Sequence, residues 1–133
     1  EADKYFERAL TVPFYETPAV AWANRGSCAL KAGQTELAEK YLRTAVQKDP
    51  NSAQALYDLA SILADRKDYF RARAFAQRYE ALAGDSPESL ALGMRIELGL
   101  GDAAAVKDYR SRLINGFPDS AQAQALETSE PPR

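Results

Sequence analysis

The chain has 133 residues, 46% of them apolar, a formal net charge of −2 and no histidine. That is enough apolar material for the core of one domain. The charge balance leaves no basic excess to neutralise phosphates, so no nucleic-acid partner is expected. No apolar run approaches the roughly 18 residues that cross a bilayer. The absence of histidine removes the commonest general base and metal ligand. Cys28 is the single cysteine, so no internal disulfide can form.

Residues 1–10 place Ala2, Tyr5, Phe6, Ala9 and Leu10 on one helical stripe. The segment YFERAL there matches YLRTAV at residues 41–46, so residues 1–12 read as the second helix of a repeat whose first helix lies upstream. Any targeting segment is likewise expected upstream of Glu1. TVPFYETP follows, with two prolines that stop one helix and start the next. Ala9 and Ala45 are 36 residues apart, two more than the spacing of the later copies, so this connection carries an insertion holding Phe14 and Tyr15.

Pro18 suits a first helical turn, and Gly33 suits the left-handed residue that ends a helix near Ala32. A second helix is predicted from a Thr35 cap to about Lys48, closed by the turn Asp49-Pro50-Asn51. The next unit starts at a Ser52 or Asn51 cap, turns at Arg66-Lys67-Asp68 and continues through Tyr69 to about Leu82. Ser86-Pro87 opens a third complete pair, with a turn near Gly99 to Gly101 and an end near Asn115 or Gly116. Repeats are therefore placed at residues 19–52, 53–86 and 87–120. A short capping helix is placed at residues 119–126. The polar, proline-containing residues 127–133 are expected to be disordered.

Trp22, Gly26, Ala38, Ala45 and Pro50 stand where a tetratricopeptide repeat has its large aromatic, its small contact residues and its closing proline. Shifted by 34 residues, Leu56, Ala60, Ala72, Tyr79 and Gly84 repeat the pattern. The last copy matches least well, with Met94 in place of Gly26 and Leu113 in place of Ala45. The resemblance implies an all-α fold: a tetratricopeptide-repeat right-handed superhelix of αα-hairpins, about three and a half repeats plus the capping helix. First helices would line a concave surface and second helices the outside. The small residues would admit close helix contact, while Trp22, Leu42, Leu56 and Leu90 fill the space between pairs.

Candidate chemistry is sparse. Cys28 has no histidine to activate it and reads as a small core residue. Asp58, Asp65, Asp68, Glu80 and Asp85 fit no calcium loop and read as solvated surface. Of the aromatics Tyr57, Tyr69, Phe70, Phe75 and Tyr79, most are expected in the core, with Tyr57 turned into the concave groove. Asn24, Ser27, Lys31, Asp58, Ser61 and Arg95 map to that same surface, which is the candidate protein-binding face. Phe14 and Tyr15 offer a second candidate, because insertions in solenoids collect on one face. A clamp for a C-terminal carboxylate is rejected: Asn24 fits it, but Asp58 would repel the ligand. No nucleophile–base pair, metal cluster or cofactor site can be assembled, so no enzyme is expected.

The succession of segments is more specific than any one of them. YFERALTVPFYETPAVAWANRGSCALKAG, LAEKYLRTAVQKDPNSAQALYDLA, DYFRARAFAQRYEAL, SPESLALGMRIELGLGD and RLINGFPDSAQAQAL together resemble the type IV pilus biogenesis/stability proteins of the PilF/PilW type, from Tyr5 to Leu126. That resemblance implies a non-enzymatic, monomeric pilotin that helps the outer-membrane secretin reach its membrane and multimerise. It would face the periplasm, held at the outer membrane only by a lipid anchor upstream of Glu1. The alternative is a generic repeat adaptor in another envelope complex or in the cytoplasm.

Overall fold

Residues 17–129 are described by a computed structural model, and among them the backbone forms seven α-helices and no strand. They are α1 (Pro18–Lys31), α2 (Thr35–Lys48), α3 (Ala53–Asp65), α4 (Tyr69–Ala83), α5 (Pro87–Leu100), α6 (Ala103–Gly116) and α7 (Ala121–Ser129). The expected helix at residues 1–12, the loop bearing Phe14 and Tyr15, and residues 130–133 lie outside the described residues.

Local chemistry sets most of the boundaries. The Thr17 hydroxyl accepts the Val20 N–H at 3.3 Å, and Pro18 follows in the first turn, where a missing N–H is harmless. Ser86 and Ser89 form a reciprocal capping box at the start of α5. Asp68 and Asp102 cap α4 and α6 by accepting the N–H groups of Arg71 and Ala105. Thr35 departs from expectation: it is the first residue of α2, and the cap is Gln34, whose side chain makes no capping bond. The last helix also differs. The Ser120 hydroxyl accepts the Ala123 N–H at 3.1 Å, so α7 begins at Ala121. It runs on through Glu127 and Thr128 to Ser129, residues expected to be disordered.

Within each pair the chain reverses through a left-handed residue. These are Gly33 (φ 80°), Lys67 (φ 63°) and Gly101 (φ 77°), evenly spaced by 34 positions. Lys67 is the one non-glycine with positive φ among the described residues. Its Cβ crowds the backbone there, a penalty glycine escapes.

Packing follows the same period. One cluster joins α1 and α2 to Ala55, Leu59 and Ile62 of α3, and a second joins α3 and α4 to Leu92 and Ile96 of α5. A third joins Leu90, Tyr109 and Leu113 to Ala123 of α7. Each hairpin's core is thus completed by the first helix of the next unit. Leu42, Leu56 and Leu90 are fully buried as expected, whereas Trp22 is half-buried, its ring 5.6 Å from that of Tyr41. Arg25 is buried between those two rings, 4.3 Å from each centroid, and donates a hydrogen bond to the Tyr41 hydroxyl.

Three glycines, Gly26, Gly93 and Gly99, mark close approaches between helices, Gly99 lying beneath the Tyr69 ring. A methyl group on Gly26 would lie 2.5 Å from Leu42 Cγ. In the last pair Gly93, which holds the repeat position of Arg25, sits against the ring of Tyr109, the counterpart of Tyr41. The aromatic set is core only in part: Tyr57, Tyr69 and Phe75 pack against the buried clusters without being enclosed by them. Phe70 is 73% exposed, and Tyr57, Tyr69, Phe75 and Tyr79 are half-buried. The buried stripe of α4 is Ala72 and Ala76, and Phe70 lies two residues from it, on the opposite side of the helix.

Replacing Lys67 with glycine should raise the unfolding free energy by about 0.5–1 kcal/mol, read as a shift in urea midpoint; a lower midpoint would contradict the strain assigned to this turn. Gly26→Ala should destabilise by about 1–3 kcal/mol, and the loss should shrink when Leu42→Ala opens space beside it. Additive effects of the two changes would show that they do not share a contact.

Candidate protein-binding surface

The first helix of each pair touches its counterpart in the next: α1 meets α3, α3 meets α5, and α5 meets α7. Polar side chains follow these seams. Between α1 and α3, the Ser27 hydroxyl donates to Asp58 Oδ2 at 2.7 Å. Gln54 Nε2 donates to Ser27 Oγ at 2.6 Å and to Asn24 Oδ1 at 3.3 Å. Lys31 supplies a nearby positive charge to Asp58. Burial pushes the Asp58 carboxyl above its ordinary range, a shift that the Ser27 hydrogen bond and Lys31 only partly offset.

Between α3 and α5 a groove of about 290 Å³ is lined by Tyr57 and Ser61 on one side, Glu88, Ala91, Leu92 and Arg95 on the other, with Gln122 of α7 at its end. Arg95 Nη2 donates to Asp65 Oδ1 at 2.7 Å, and both side chains are exposed. Burial, then the Glu88 carboxylate, raises the pKa of the Tyr57 hydroxyl.

Asn24, Ser27, Lys31 and Asp58 therefore form one cluster, and Tyr57, Ser61 and Arg95 share the adjacent groove. Tyr57 lines the groove as expected, and its ring is held there by a second contact. It packs against the core with its ring 5.2 Å from that of Tyr79. Three members were missed: Gln54, Glu88 and Gln122. They lie 34 residues apart, so each holds the same position in its repeat. That spacing was available in the sequence and would have found them.

The acidic residues expected to be simply solvated are mostly bonded instead. Asp58 accepts from Ser27, and Asp68 caps α4. Glu80 accepts from the Tyr109 hydroxyl and from Arg112 at 3.2 Å, and Asp85 accepts from Arg112 at 2.6 Å. Burial first, and then the Glu80 carboxylate, raises the pKa of the Tyr109 hydroxyl. These contacts join α4 and the following turn to α6, on the outside of the stack. Among the described residues, no three acidic, histidine or cysteine side chains converge to hold a metal ion. Cys28 is half-buried rather than fully in the core.

A stack of helical hairpins with a 34-residue period and a polar seam along its first helices is a repeat scaffold that binds other chains. The chain belongs to the tetratricopeptide repeat family, whose sequence profile it matches at residues 1–53 and 24–87. Among solved structures it is similar to PilW, described as a widely conserved type IV pilus biogenesis factor. Identity is 32%, the match covers 93% of this chain and 57% of PilW, and the TM-score is 0.78. Pseudomonas aeruginosa PilF superposes with a TM-score of 0.82 at 20% identity, covering 97% of this chain and 60% of PilF. YrrB, a repeat protein described as having an unusual peptide-binding site, gives 0.74 at 18% identity, covering 92% of this chain and 62% of YrrB. The latter two likenesses are of fold alone. The chain spans about three-fifths of the length of these relatives. No curated protein matches it.

Because folding raises the Asp58 pKa, the folded state holds that proton more tightly and the ionised form weakens the fold. Stability should therefore gain as pH falls through the raised pKa. Asp58→Asn should melt higher than the parent at pH 7. The difference should shrink on acidification and vanish below about pH 4, the ordinary Asp range. A pH-independent difference in melting temperature would contradict the burial effect.

Proposed function

We propose that this chain is the repeat scaffold of a type IV pilus pilotin, which binds the secretin and promotes its multimerisation at the outer membrane. The observation that carries the reading is the 32% identity to a type IV pilus biogenesis factor over 93% of the chain. The ordered succession of segments from Tyr5 to Leu126 points the same way. In this reading the protein works from the periplasmic face of the outer membrane, tethered by a lipid upstream of Glu1. The seam through Asn24, Ser27 and Asp58 and the neighbouring groove at Tyr57, Ser61 and Arg95 contact the partner, with the Phe14–Tyr15 loop as a second contact.

The polar seam suits a hydrogen-bonding peptide rather than an apolar one. Gln54, Ser27 and Asp58 already satisfy one another, so a partner must exchange these bonds one for one. That favours specificity over raw affinity.

Deleting the gene should leave the secretin monomeric on gels that preserve its multimers, and should abolish twitching motility. Normal multimers in the deletion strain would overturn the pilotin reading and leave the adaptor alternative. For the surface itself, Arg95→Glu is the clean variant, because an exposed ion pair contributes only about 0–1 kcal/mol to stability. It should weaken secretin binding at least about fivefold, as reversal of a rim charge does. Unchanged binding by this variant and by Ser27→Ala would remove the concave surface from the interface.

A further inference from the structure

The geometry points to a second docking site beside the last described hairpin, outside the concave groove: an exposed notch on α5 and α6 that accepts an acidic, amphipathic helix from a partner protein. This inference is independent of the pilus reading.

The notch has a volume of about 350 Å³ and is lined by Leu98, Gly101, Ala103 and Val106, by Glu97, whose carboxylate is engaged by Arg73, and by Lys107 and Arg110 along its side. Leu98 is 62% exposed, whereas the residue 34 positions earlier, Ala64, is 2% exposed. Val106 corresponds in the same way to Ala72, which is fully buried. The difference is the incoming helix. In the preceding unit, α5 covers this face with Leu92 and Ile96, and Tyr69 rests on Gly99. In the last unit, α7 covers only the half of the face around Leu90, Leu113 and Met94.

Charge identifies the occupant. Lys107, Arg73 and Glu39 hold one repeat position on the three second helices. At each earlier unit, the end of the incoming first helix brings the opposite charge to that position. Arg66 pairs with Glu39 across α3 and α2. Glu97 pairs with Arg73 across α5 and α4, with one bond of 2.9 Å. Lys107 is exposed and makes no ion pair among the described residues. A helix that continues the stacking interface therefore needs aliphatic residues one turn apart and a carboxylate beside the second. Leu92, Ile96 and Glu97 of α5 show that arrangement.

The test uses the full chain and a fluorescein-labelled peptide of residues 87–100, read by anisotropy. Saturable binding is expected. Leu98→Asp and Lys107→Glu, both at exposed positions, should each weaken it about tenfold. A peptide carrying Glu97→Lys should recover affinity for the Lys107→Glu protein. Absence of saturable binding, or binding indifferent to both variants, overturns the site. Binding that appears only after residues 130–133 are removed would assign the notch to the chain's own tail and overturn the partner reading. So would self-association, seen by sedimentation, that Leu98→Asp abolishes.

Discussion

No hairpin in this chain can bury its own apolar face. A pair of helices of about fourteen residues offers one stripe to its partner and leaves a second stripe bare. The bare stripe is covered only when the next unit arrives, and every other feature of the fold serves that arrival. Leu59 and Ile62 complete the core begun by α1 and α2, and Leu92 and Ile96 complete the one begun by α3 and α4. The small residues at Gly26, Ala38 and Ala72 set how closely helices approach, and the left-handed turns at 33, 67 and 101 set the angle of return.

The interface between units also fixes where polar groups go. Arg25 lies buried between two aromatic rings in the first pair. In the second and third pairs the matching positions hold Leu59 and Gly93, facing Phe75 and Tyr109. One contact between position and ring is thus met by a cation, an aliphatic chain and a bare backbone. Such tolerance explains how repeats of one shape can differ in sequence. Along the outside, Arg112 gathers Glu80, Asp85 and Asp108, a network that ties the last two second helices together.

Much of this architecture was legible in the sequence because it depends on spacing. The recurrence of Ala38 at Ala72, and of Gly33 at Gly101, places turns and contacts without any knowledge of the fold. What escaped depends on angle and reach. Phe70 is apolar, yet its place around α4 turns it to solvent. Tyr57 lines the groove as its register implies, and its ring is also long enough to lean back onto Tyr79. The helix placed from residue 119 starts two residues later, at Ala121, because the Ser120 hydroxyl accepts the Ala123 N–H. On the candidate surface, the described residues chosen for their chemistry are neighbours. Gln54, Glu88 and Gln122 were passed over because a glutamine attracts no notice until its period is seen.

That period gives the inner seam a ruler. Gln54, Glu88 and Gln122 recur once per unit on helices that touch in succession. Neighbouring packed helices stand about 8–10 Å apart. An extended peptide advances about 3.3 Å per residue, so close to three residues carry it from one rung to the next. A polyproline II segment also repeats every three residues, and so would present the same face at each rung. The seam is thus commensurate with a ligand whose contacts recur at every third position. An α-helix, advancing about 1.5 Å per residue, would need six or so residues per rung, and its side chains would drift around its axis between contacts.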